Sequence, residues 1–315
     1  NKIDFFNSNF GENLGYIVEN RILKKVFFQK ILSDNNIKIL DNFNVSFLEN
    51  HQSKTLVKSK NICISSDLVV AADGKFSPVR KMLNVPTFEK NYNHSALFLN
   101  VVHSKDHKNY AYEIFKSGGP LAILPMKKNK NFFRSSIIWS NKKEFIKGIY
   151  NSNNLKDILN EEIGNYVGDL KKIINKKVFN LSAHINSIFY DNKVVFVGDS
   201  AHSVHPIAGQ GWNLGIRDIY NLFKALKEGK DLGLESGNMM ILKKYNDYAY
   251  YDAFALYHIT DKLNSIFSFD NMLVNKLRSI GIDYIDNNKI INSLISSYAM
   301  GKKINILSLL KNKSS

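Results

Sequence analysis

Gly198-Asp199-Ser200-Ala201-His202-Ser203-Val204-His205-Pro206-Ile207-Ala208-Gly209-Gln210-Gly211-Trp212-Asn213-Leu214-Gly215-Ile216-Arg217-Asp218 is the most informative stretch of this chain. It follows the apolar run Val194 to Val197, so a buried strand ends at Gly198 and sets the Asp199 carboxylate at the carboxyl edge of a parallel sheet. Open α/β folds bind ligands at that edge. A carboxylate there accepts hydrogen bonds from a polyol. Gly209 and Gly211 let the backbone approach a flat ligand closely, and the helix predicted over Trp212 to Leu226 aims its free N–H groups at the same place. Such an arrangement stabilises negative charge on a ring.

Other readings compete. Gly209 to Gly215 imitates a dinucleotide fingerprint, but its third glycine comes one residue late and no strand ending in an acid follows about 20 residues on. Asp199, His202 and His205 could be metal ligands, yet without further Cys or carboxylate partners such histidines are more often structural. An incidental glycine turn leaves too many special residues in one stretch unexplained. A second signal, Asp73-Gly74-Lys75-Phe76-Ser77-Pro78-Val79-Arg80, follows the apolar strand Asp67 to Ala72. Ser77 suits a helix N-cap and Pro78 a first helical position, so an Asp-Gly turn leads into a helix carrying Arg80. Alone this is a common strand-turn-helix. With the first stretch it means that two strand ends can flank one extended cofactor.

The chain has 315 residues, room for two domains of roughly 100 to 200 residues each. Hydrophobic residues at 44% and charged residues at 23% exclude disordered and fibrous classes. The single cysteine, Cys63, excludes an internal disulfide framework and fits a reducing compartment; within Ile62-Cys63-Ile64 it reads as a small apolar strand side chain. A net charge of +15 favours anionic partners, but the lysines are scattered and form no stripe interleaved with aromatics, so nucleic acid is not expected as a partner. No apolar run reaches the ~18 to 20 residues of a membrane span and no signal segment opens the chain. The expected location is cytoplasmic, with a peripheral seat on the inner membrane face.

Hydrophobic periodicity predicts an extended segment at Leu14 to Val18, a helix from Asn20 to Leu32, short strands at 37–40, 44–48 and 61–64, and a strand at 67–72 covered on both faces. Longer alternating strands at 96–102, 110–115, 121–126 and 133–139 suggest an antiparallel meander. Residues 141–177 read as helical, as do almost all of 239–311. The expected class is α/β: a parallel-sheet domain, an inserted antiparallel-sheet domain and a helical C-terminal region; the resemblance described next makes the first an FAD-binding domain incomplete at its N-terminus and the second a substrate domain. Its expected segments are 1–87, 88–180, 181–238 and 239–315.

The two motifs resemble those of the flavoprotein aromatic hydroxylases, the family of para-hydroxybenzoate hydroxylase. Gly15 to Asn20, Gly119 to Pro125, Arg278, Gly281, Ile282, Asp283 and Ala299-Met300-Gly301 add a resemblance to its ubiquinone-biosynthesis hydroxylases. The resemblance implies FAD, with Asp199 on the ribitol hydroxyls, Pro206 and the Gly209-Gln210-Gly211 backbone against the isoalloxazine, and Asn213 near its pyrimidine edge. It implies Asp73, Gly74 and Arg80 near the pyrophosphate and NAD(P)H path, and Asn20 near the phosphates, where the family often has Gln or Arg. Ser200 stands where Ala is usual, a change expected to matter little, and Trp212 where a smaller aliphatic is common. The implied activity is hydroxylation of a polyprenylated phenol through a flavin C4a-hydroperoxide, at an anionic membrane surface or in a ubiquinone-biosynthesis assembly. No general base is named. The family's opening strand, Gly-x-Gly-x-x-Gly turn and helix find no match before Leu14, which reads as a fragment of a longer frame. A halogenase is disfavoured because Trp139 and Trp212 are the only tryptophans and no Trp-x-Trp occurs. A prenyl reductase, an epoxidase or a truncated non-catalytic subunit of a lipid-biosynthesis assembly remain alternatives.

Overall fold

The computed structural model describes residues 4–5, 13–51, 53–116, 118–129, 132–206, 209–268 and 284–299. In chain order these form helix α1 (Asn20–Leu32), strands β1 (Phe47–Asn50), β2 (Thr55–Lys58), β3 (Cys63–Ser66) and β4 (Val69–Ala71), and helix α2 (Pro78–Met82). Strands β5 (Thr87–His103), β6 (Tyr112–Lys116), β7 (Gly119–Asn129) and β8 (Phe132–Lys142) follow, then helices α3 (Lys143–Asn151) and α4 (Leu155–Val167). The remainder comprises β9 (Leu170–Asn186), β10 (Tyr190–Asp191), β11 (Val194–Phe196), β12 (His202–Ser203), α5 (Gly211–Asp231), α6 (Met239–Ser268) and α7 (Lys289–Ala299). The chain divides into one unit of residues 1–28, 94–180 and 264–315 and another of 29–93 and 181–263.

In the first unit, two-residue alternation builds the expected antiparallel meander. Leu97, Leu99 and Val101 of β5, Leu121 and Ile123 of β7, and Ile137 and Trp139 of β8 are all buried, because alternate residues of a strand share one face. The register Leu97↔Trp139, Leu99↔Ile137 and Leu121↔Trp139 brings them together. Ile146 and Ile149 of α3 and Leu155, Leu159, Ile163 and Val167 of α4 join the same core. Their three- and four-residue spacing places them on one stripe of each helix.

The second unit holds two small sheets. β1, β2 and β3 form an antiparallel meander with Leu48↔Val57 and Leu56↔Ser65 opposed. β4 pairs in parallel with β11, and β10 closes that sheet antiparallel on the far side of β11. Phe189, Val194, Val195, Phe196, Leu214, Leu222 and Tyr245 are all buried in this unit. The Tyr245 hydroxyl, fully buried, donates to the Phe196 carbonyl at 2.6 Å and anchors the end of β11 to α6.

Several expectations are corrected. Leu14 to Val18 joins no ladder, and Tyr16 is 81% exposed. α1 has the expected bounds but buries no residue. Residues 37–40 form no strand, the neighbouring strands lie at β1 and β3, and β2 went unread. Four residues are too few for a period to show between polar turns, and only pairing across the meander reveals β2. Cys63 is exposed, not packed. β4 has a single neighbour among the described strands, and with Val70 46% exposed while Ala71 is buried, only one of its faces is covered. The helical reading of 141–177 fails at Leu170, where β9 begins. Gly168, at φ 70°, ends α4, and the β-branched Ile173, Ile174 and Val178 then favour extended chain. Of the C-terminal signals, Arg278, Gly281, Ile282, Asp283, Met300 and Gly301 lie outside the described residues, as do Ile207 and Ala208.

Candidate cofactor site

The parallel register Val69↔Val194, Val70↔Val195 and Ala71↔Phe196 brings the carboxyl ends of β4 and β11 side by side. Two turns leave this edge. One runs through Asp73 and Gly74 into α2, and the other is a 3₁₀ turn at Gly198–Ser200. Gly74 and Gly198 have φ of 85° and 60°, left-handed conformations that cost an ordinary L-residue roughly 1 to 2 kcal/mol.

Asp218, on α5, holds the second turn. Its Oδ2 accepts from the Gly198 N–H at 2.8 Å and lies 2.7 Å from His202 Nε2, with His202 and Asp218 both buried. His202, weighed as a metal ligand, is thereby committed to Asp218. The His205 ring is buried edge-on against Tyr92, with centroids 4.8 Å apart. Among the described residues no group of three or more His, Cys, Asp or Glu is placed to hold a metal ion.

The Ser200 hydroxyl, expected to matter little, is buried in this turn. It lies 2.5 Å from the Ala71 carbonyl and 2.9 Å from that of Val197, and it accepts from the Val197 N–H at 3.1 Å. It therefore staples the turn after β11 to the end of β4. Ser200→Ala should lower stability by about 1 kcal/mol, the net worth of one such bond, read as a shifted urea midpoint at unchanged slope.

Of the sequence-derived candidates, Asp199 presents an exposed carboxylate, and its charge acts on Lys75. Asp73 Oδ2 accepts from the Val79 N–H at 3.1 Å, and Ser77 Oγ from the Arg80 N–H at 3.0 Å, so both cap α2. Arg80 is buried: it donates to the carbonyls of Lys75 at 2.7 Å and Ser200 at 2.9 Å, and its Nη1 lies 3.0 Å from His184 Nε2. Lys75 Nζ donates to the Ser182 carbonyl at 2.6 Å; burial holds its pKa below the ordinary lysine range, against the pull of Asp199 and Glu89. Pro206 and Asn213 are exposed, and Asn213 Nδ2 donates to Gln210 Oε1 at 3.2 Å. Asp73, Gly74, Arg80 and Asp199 are thus gathered at one sheet edge. Asn20 belongs to the other unit, where it opens α1 and is exposed.

Among the described residues, α5 begins at Gly211 with no side-chain cap from Gln210 and no acid in its first turn, so the positive end of its dipole faces this region. Among the described residues, a Cβ on Gly211 would meet only Val204 Cγ2, at 4.0 Å, and one on Gly209 nothing within 4 Å. Protein packing therefore does not demand glycine at 211. Open glycine backbone, an uncapped helix N-terminus and an exposed carboxylate at the sheet edge fit a flat, polyol-bearing, electron-accepting group such as FAD.

Sequence reading missed His184 and the part played by Lys75. The available signal was Arg80 itself, a cation expected inside a strand-turn-helix and needing buried acceptors.

The family described as FAD binding domain matches residues 47–247. The chain belongs to this family. Among curated relatives, this FAD-binding-domain chain is 29% identical to a protein of Rhodospirillum rubrum named ubiquinone hydroxylase UbiL, over 91% of this chain and 67% of that protein. It is 25% identical to the 3-demethoxyubiquinol 3-hydroxylase of Escherichia coli, over 91% of this chain and 73% of that one. The p-nitrophenol 4-monooxygenase PnpA from Pseudomonas putida shares the fold at TM-score 0.71 and 14% identity, covering 90% of this chain and 73% of that one. The FAD-binding-domain chain covers 56% of the Diels-Alderase PyrE3, at TM-score 0.62 and 14% identity.

Proposed function

We propose that this chain is the flavin-holding part of an FAD- and NAD(P)H-dependent monooxygenase that hydroxylates the ring of a polyprenylated phenol in ubiquinone biosynthesis. The observation that carries this reading is the paired ends of β4 and β11, with Asp199 exposed between the Asp73 turn and the open glycine start of α5. The substrate class is supported by relatives named as ubiquinone hydroxylases. When bound, FAD supplies the redox and oxygen chemistry. The chain's own residues bind and orient it: Asp199 takes the ribitol hydroxyls, Pro206 and the Gly209-Gln210-Gly211 backbone face the ring, and Asn213 its pyrimidine edge. Asp73, Gly74 and Arg80 shape the pyrophosphate and NAD(P)H side. His202, tied to Asp218, and His205, packed on Tyr92, hold the loop and need no acid-base role.

A polyprenyl substrate is membrane-borne, and the +15 charge suits a peripheral seat on an anionic surface. Among the described residues no helix is long and apolar enough to cross a membrane. Asp199→Ala should weaken FAD binding by about 1 to 3 kcal/mol through lost charge-assisted hydrogen bonds, read by flavin fluorescence titration. Unchanged affinity would remove Asp199 from the ribitol.

A further inference from the structure

We propose that His184 is a positioning residue for the cofactor site: a neutral imidazole, protonated on Nδ1, whose Nε2 lone pair clamps the Arg80 guanidinium between the two strand-end turns. This rests on reading the Asp199 turn as facing the flavin.

Chemistry dictates the protonation. A guanidinium has donors and no acceptor, so at 3.0 Å from Arg80 Nη1 the His184 Nε2 must be the bare nitrogen. The ring proton then sits on Nδ1, and the backbone of Asp199 favours a proton on the ring. His184 thus contacts Arg80 through Nε2, while the backbone of the candidate ribitol ligand, Asp199, acts on the protonation of the same ring. With its remaining donors Arg80 holds the Lys75 and Ser200 carbonyls. The Asp73 turn, the Asp199 turn and β9 are therefore joined through one buried contact. β9 supplies the fixed wall: Ser203↔His184 and His202↔Ile185 pair across β12, and Lys75 ties to Ser182 two residues away.

The charges facing His184 all disfavour a second proton. Arg80 comes from α2, Lys75 from the preceding turn and His202 from β12. Burial first, then Arg80 and Lys75, lower the His184 pKa from 6.5 to about 3. Because the native ring refuses a proton that the unfolded chain binds below about 6.5, its contribution to stability is present above that pH and declines as pH falls toward about 3.

The test uses the whole chain, as wild type and as His184→Gln and His184→Leu. Imidazole ¹⁵N spectra of the wild type should show His184 as the Nδ1–H tautomer and unchanged between pH 5 and 8, roughly the range where an unperturbed histidine titrates. FAD titration should show His184→Leu binding at least about tenfold more weakly, the scale of a lost hydrogen bond to a charged group. His184→Gln, whose amide oxygen can accept from Arg80, should recover most of that loss and flatten the acid-side fall in stability. An Nε2–H tautomer, a titration in that window, or equal FAD affinity of His184→Leu and wild type would overturn the proposal. Should the wild type bind no FAD, the cofactor reading of this chain fails, and the tautomer alone decides the Arg80 clamp. If His184→Leu does not fold, the wild-type spectra and the glutamine variant decide it.

Discussion

Asp218→Ala should lower the free energy of unfolding by roughly 3 to 5 kcal/mol, the range for removing one member of a buried pair. A single oxygen, Oδ2, serves both the Gly198 N–H and His202 Nε2, so deletion leaves two donors without their acceptor in a site closed to water. A typical domain has only about 5 to 15 kcal/mol in total, so soluble yield should fall with it. Asp218→Asn keeps the shape and one acceptor oxygen and should lose less. Urea unfolding followed by circular dichroism separates the cases; a loss under about 1 kcal/mol for the alanine would mean that the turn after β11 is held by Ser200 and Tyr245 instead.

Gly211→Val should separate cofactor binding from folding. Among the described residues the new side chain meets no atom closer than about 4 Å at its Cβ, so the unfolding midpoint should move little. A flat ring seated against the start of α5 would meet the valine directly, and overpacking of that kind costs about 1 to 3 kcal/mol. FAD affinity should drop by up to about 100-fold, with Gly211→Ala between the two. The check is the visible spectrum after incubation with FAD and desalting. Flavin bands as strong as in wild type would place the ring elsewhere.

Much of this site was legible in the chain because its parts are local. The apolar run Val194 to Val197, the glycine at 198 and the Ser77-Pro78 cap all act within a few residues of themselves, and the structure puts each in the expected element, while α5 starts one residue earlier than expected, at Gly211. Ser200 and Cys63 show the limit. One hydroxyl is buried against a carbonyl 129 residues away and the thiol points outward, and nothing in their immediate neighbours distinguishes those outcomes. The early strands and the 170–177 segment were misread for a related reason: a short strand is stabilised by its partner across the ladder, and pairing partners leave no period in a window of a few residues.

By itself the amino-acid sequence determined the strand-turn-helix of each motif, the antiparallel middle region and the resemblance to flavin hydroxylases. The first two follow from side-chain spacing and backbone freedom along the chain; the third is a likeness of motifs. Only the tertiary structure decided that Asp73 caps its own helix, that Arg80 faces inward to Ser200 and His184, and that Asp218 closes on Gly198 and His202. Hydrogen-bond partners far apart in sequence are chosen by which buried donors and acceptors the packed strands bring within 3 Å, and that choice exists only once the chain has folded.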